Sequence, residues 1–107
     1  MQQNKLKVEE KLTRAIEYLK SIGCKEIILF GSLADGMANE SSDIDLAVSG
    51  ISPWTYFKTV AVISSVVGWK VDLITMDHIS KDFKEKIRKQ GRQLYAAVEI
   101  KGIEIST

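Results

Sequence analysis

The chain has 107 residues, 45% of them apolar and 27% charged, with a formal net charge of +1. That length suits one domain over residues 1–107 with a single core, since most domains run to about 100–150 residues. The near-neutral balance makes no general case for nucleic acid or an anionic membrane, and one cysteine, Cys24, excludes an internal disulfide or a cysteine-based zinc cluster.

No apolar run approaches the roughly 20 residues of a membrane span, and the start, MQQNKLKVEEK, does not read as a signal peptide. The expected location is the cytoplasm. Val8, Leu12, Ala15, Ile16, Leu19 and Ile22 recur at three- and four-residue spacing, which predicts an amphipathic helix over residues 4–22, stopped by Gly23. Cys24, small and apolar, belongs in or near the core. Glu26 to Phe30 (EIILF) is apolar on consecutive positions, as in a strand buried on both faces. Gly31 and Ser32 end that strand; a short helical turn over residues 33–36 and a polar loop over residues 37–42 should follow. Asp43 to Ser49 (DIDLAVS) is the second expected strand, closed by Gly50.

Ser52 and Pro53 make a helix start, an N-cap followed by a proline at the first helical position. That helix runs to Val67 with few charges, so it should be largely buried or covered by a partner. Phe57 and Trp69 are assigned to the core, whereas Trp54 and Tyr56 fit either the core or a partner face. Lys70 to Thr75 (KVDLIT) alternates as a third strand, with Val71 and Leu73 on one face and Asp72 and Ile74 on the other. His78 falls in a surface turn. Ser80 caps a last helix, Lys81 to Gln90, whose apolar contacts should come from Phe83, Ile87 and Leu94. Lys81, Lys84, Arg88 and Arg92 fall near one face of it, but Asp82 and Glu85 interleave, which favours a solvated face over a nucleic-acid contact. The tail from Gln93 to Thr107 reads as a weak strand or irregular edge. This order predicts an α/β (α+β) fold, a small mixed sheet with helices packed on one side.

Ten residues separate Ser32 from Asp43, and Asp45 follows two places later. On a strand Asp43 and Asp45 point the same way, and two adjacent carboxylates repel unless a cation lies between them. Gly31 leaves room for a phosphate to approach the backbone, and the Ser32 hydroxyl and the amides after it can meet phosphate oxygens. Burying Asp72 within an apolar alternation without a purpose would be costly, so it is the candidate third carboxylate, either accepting a proton or holding metal.

Gly31-Ser32, ten residues, then Asp43-Ile44-Asp45 resembles the signature of the DNA polymerase β-like nucleotidyltransferase superfamily. With KVDLIT and DFKEKIRKQGRQLY, the chain from about Leu12 to Ala96 resembles its small branch, the minimal nucleotidyltransferase (MNT) domains. The resemblance implies Mg2+-dependent transfer of AMP from ATP, with pyrophosphate leaving. Gly31 and Ser32 would bind the nucleotide, and Asp43, Asp45 and Asp72 would form the catalytic and metal set. It further implies a HEPN-domain toxin as partner and acceptor, the MNT protein being the antitoxin. Alternatives are neutralisation by contact alone, and transfer to a small molecule, for which a homo-oligomer could complete the site. Many relatives carry a basic residue at the fifth place of the GSxAxG turn, where this chain has Asp35. That acid either points into solvent or weakens nucleotide binding.

Overall fold

The computed structural model describes residues 2–31, 34 and 43–97. Ser32, Asp35, the loop expected over residues 37–42 and the tail after Ala97 lie outside the described residues. Helix α1, Gln2–Ser21, buries Ala15 and Leu19 completely. Gly23, at φ +98°, turns the chain out of it. The Gly23 amide donates to the Lys20 carbonyl and the Cys24 amide to the Leu19 carbonyl, both at 3.1 Å, which closes the last turn.

Strand β1, Glu26–Phe30, is antiparallel to β2, Ile44–Ser49. Helix α2, Pro53–Val67, starts where Ser52 accepts the Thr55 amide at 3.1 Å and ends at Gly68 in the left-handed region. It carries the chain to β3, Val71–Thr75, which runs parallel to β2. A 3-10 turn, Met76–His78, leads to helix α3, Lys81–Gln90, and then to β4, Arg92–Ala96, antiparallel to β1. The mixed sheet has the order β3-β2-β1-β4; of the tail read as a weak strand or irregular edge from Gln93 to Thr107, the described part forms β4, which begins one residue earlier and ends at Ala96. The expected α+β class with a mixed sheet holds.

The helices do not all lie on one side, however. Ile27 and Leu29 of β1 pack with Ala15, Leu19, Ile63 and Val67 of α1 and α2. Ile28, between them, packs instead with Ala47, Met76 and Ile87 of α3. Successive strand residues face opposite ways, so α3 covers the second face. A strand apolar on consecutive positions needs cover on both sides, and one-sided packing would have left Ile28 in water.

Two core assignments change for a related reason. The buried stripe of α2 is Thr59, Ile63 and Val67. Phe57 precedes Thr59 by two positions, which do not share a helix face, and it is 67% exposed. Phe83 of α3 is 43% exposed rather than packed inside. Trp69 is half-buried against the main core, with the Lys11 ammonium 3.6 Å from its ring centroid. Trp54 is exposed, whereas Tyr56 is half-buried and donates its hydroxyl to the Leu73 carbonyl at 2.7 Å.

Arg88 ties α3 to the sheet. Its guanidinium donates to the Glu26 carboxylate at 2.9 Å, and Gln93 and Ser49 donate to the same carboxylate at 3.2 and 3.4 Å. The Arg88 hydrogen bond is the main reason that the Glu26 carboxyl is held below its ordinary value. A lowered folded-state value stabilises above the ordinary carboxylate range and is lost as pH falls through the folded value. Glu26→Gln should therefore cost about 1 kcal/mol at neutral pH. The difference should close in acid, measured by urea unfolding across pH.

Candidate active site

The parallel pairing of β2 with β3 sets Asp45 directly beside Asp72, and the antiparallel pairing with β1 sets Phe30 on its other side. Asp45 is half-buried, and Asp72 is exposed because β3 is the edge of the sheet. The expectation that Asp72 sits mid-strand without solvent therefore does not hold. Its place in the cluster comes from register with Asp45, not from burial.

Burial is the largest cause pushing the Asp45 carboxyl above its ordinary value. The charge of Asp72, a hydrogen bond with it, and the charge of Asp43 push the same way, while Lys70 opposes them. Asp43 and Asp72 thus both act on Asp45, at the same end of the sheet. Asp43 stands just before β2, with a carboxylate oxygen 3.4 Å from the Lys70 ammonium. The Ile44 amide donates to the Lys70 carbonyl at 3.0 Å, so backbone and side chain join the same two segments.

Gly31 completes this end. It lies at φ +74°, where side chains are strained, and an added Cβ would stand 3.1 Å from Cγ of Asp45 and collide with the carboxylate oxygen. The start of the turn thus lies against the Asp45 carboxylate. Ser32, the other predicted nucleotide ligand, is outside the described residues.

The donor set suits magnesium, a hard cation that prefers oxygen and takes one or two carboxylates together with phosphate and water oxygens. A carboxyl raised by burial and by its acidic neighbours is one whose ionised form a cation would favour. Among the described residues no group of three His, Cys, Asp or Glu side chains is already gathered to hold a metal ion.

Lys70 escaped the sequence analysis as a site residue. Its one signal is position, two places before Asp72 in KVDLIT. The Glu26–Arg88 pair escaped as well, since nothing local joins residues so far apart. Cys24 and His78 stay outside the chemistry. The Cys24 thiol is buried, and burial, helped by the Asp77 charge, pushes it up to about 11, so it stays protonated at neutral pH. His78 is exposed.

Residues 10–99 match the family model described as polymerase beta, nucleotidyltransferase. A Methanocaldococcus jannaschii protein named as a protein adenylyltransferase is 35% identical over 65 residues, which span 58% of this chain and 66% of that relative. The Haemophilus influenzae protein named as the protein adenylyltransferase MntA is 38% identical over 64 residues, 56% of each chain. The chain thus aligns with less than two-thirds of either relative. Among solved structures, a toxin–antitoxin with AMP-PNP superposes with a TM-score of 0.69 at 24% identity, covering 88% of this chain and 85% of that one. A chain from the structure of a tri-AMPylated Shewanella oneidensis HEPN toxin in complex with MNT antitoxin gives 0.57 at 20% identity, covering 89% and 78%. At such identities the likeness is one of fold.

Proposed function

Because this chain belongs to the polymerase beta, nucleotidyltransferase family, we propose that it transfers AMP from ATP to a hydroxyl of a protein acceptor. The acceptor in this proposal is a HEPN-type toxin, and the chain is its antitoxin, working in the cytoplasm. The observation that carries the proposal is the register of Asp45 with Asp72 beside Gly31, whose bare Cα lies against the Asp45 carboxylate. The names of the aligned relatives and the AMPylated complex of a structural neighbour support the choice of acceptor.

In this mechanism Gly31 and Ser32 receive the triphosphate, and Asp43 and Asp45 would hold magnesium. Bound magnesium would neutralise phosphate charge as the leaving group departs. Asp72, exposed at the sheet edge, is open to the acceptor and takes the proton of its hydroxyl. The acceptor oxygen bonds to the α-phosphorus, the bond from that phosphorus to the bridging oxygen breaks, and pyrophosphate carries away the electron pair.

Incubated with the toxin, ATP and magnesium, the protein should add the mass of one or more AMP groups to its partner, and Asp43→Asn should abolish the gain. No adduct with the native protein would sink the catalytic proposal. The exposed apolar face of α2, with Trp54 and Phe57, favours a second possibility, neutralisation by contact alone. In that case Asp43→Asn with Asp45→Asn would still neutralise the toxin.

A further inference from the structure

We propose that the cavity between α3 and the end of β1 seats the nucleobase and ribose of the nucleotide, with Phe83 as stacking face and Gln90 as reader of the base edge. This rests on the nucleotidyl-transfer function proposed above. The cavity, of about 230 Å3, is lined by Phe30, Gly31, Phe83, Lys86, Ile87 and Gln90.

Three features choose the occupant. Gly31 is both a wall of the cavity and the first residue of the phosphate turn, so a ligand here is continuous with one held at that turn. The sheet order, β3-β2-β1, then separates the cavity from Asp72. Phe30 adjoins Asp45 on one side and Asp72 adjoins it on the other, so an acceptor meeting Asp72 approaches from the far side. The occupant therefore belongs to the donor nucleotide. Finally, whole-ligand pockets run to about 300–1,000 Å3. A smaller one suits part of a ligand, here a nucleoside whose phosphates extend towards Gly31.

The lining chemistry agrees. Phe83 is a large apolar side chain left 43% exposed at this cavity, a position that gains from a stacked ring. The Gln90 amide both donates and accepts, which matches a base edge carrying both kinds of group. Lys86 adds a cation suited to the sugar–phosphate end.

The test compares binding of ATP and of inorganic tripolyphosphate, each with magnesium, by calorimetry. The native protein should bind ATP at least tenfold more tightly than tripolyphosphate. Phe83→Ala should weaken ATP binding about tenfold, the loss of one stacked base, and leave tripolyphosphate binding unchanged. Phe83→Trp should restore the ATP preference, and Gln90→Ala should narrow the preference for ATP over other nucleoside triphosphates. Equal binding of ATP and tripolyphosphate by the native protein, or ATP binding indifferent to Phe83→Ala, would overturn this inference and leave the phosphate-and-metal site standing. Binding of neither ligand would overturn the nucleotide site itself, and the inference with it.

Discussion

Asp45→Asn should reduce AMP transfer by about a thousandfold or more and, without magnesium, raise the melting temperature at neutral pH. The activity loss follows from removing the carboxylate at the centre of the cluster, where charge neutralisation carries most of the catalysis. The stability gain follows from the raised carboxyl. Between the ordinary carboxylate value and the raised one, the folded state holds more protons than the unfolded chain. The Asp45 contribution therefore falls as pH rises through that window, and at neutral pH its ionised form opposes folding. Asparagine keeps a hydrogen-bonding group beside Asp72 and removes the charge. Melts in a chelator should show the variant above the native protein at neutral pH, with the gap closing in acid where both side chains are neutral. Magnesium and ATP together should reverse that order, since only the native site gains from binding them. A variant that melts lower than the native protein at neutral pH would contradict this account of the cluster.

Gly31→Ala should cost about 2 kcal/mol of stability and lower transfer about a hundredfold. The backbone term comes from φ +74°, where an L-side chain is strained by about 1–2 kcal/mol. The functional term comes from the collision with Asp45, since a displacement of about 1 Å at a reacting centre can cost about a hundredfold. Gly23→Ala separates the two. Gly23 lies at φ +98° with nothing within 4 Å of an added Cβ, so strain is its only penalty. Chemical denaturation should show a loss in both variants, and AMP-transfer assays a loss in Gly31→Ala alone. Equal transfer by the two variants would separate Gly31 from the site.

Most of the candidate site was legible because its residues are bound by local rules. Strand alternation read from the sequence sets Asp43 and Asp45 towards one side, although β2 begins only at Ile44, and a glycine after five strand residues signals a turn whose backbone must stay bare. Asp72 was legible as an acid out of place among apolar neighbours, although its solvent exposure was not, because edge position depends on which strands pair. Lys70 was invisible as the partner of Asp43. The two come together only once β2 and β3 lie side by side, and in the sequence Lys70 is one lysine among many charged residues.

By itself the sequence determined where the three α-helices and the first three strands lie, the helix stop at Gly23, the Ser52–Pro53 and Ser80 starts, and the pairing of a glycine turn with acidic strand residues. Each depends on groups a few positions apart, whose geometry the backbone enforces. Tertiary structure alone decided that α3 covers the second face, that Phe57 and Phe83 face outward, and that Arg88 pairs with Glu26. Gly91 makes the same point. It reads as a helix stop, yet its φ of −86° is ordinary. It must be glycine because a Cβ would stand 2.5 Å from Ile28 Cγ2 and 2.6 Å from the Ile87 carbonyl oxygen. Periodicity tells which side chains share a face. What covers that face, and how closely, depends on strand order and on contacts between distant parts of the chain.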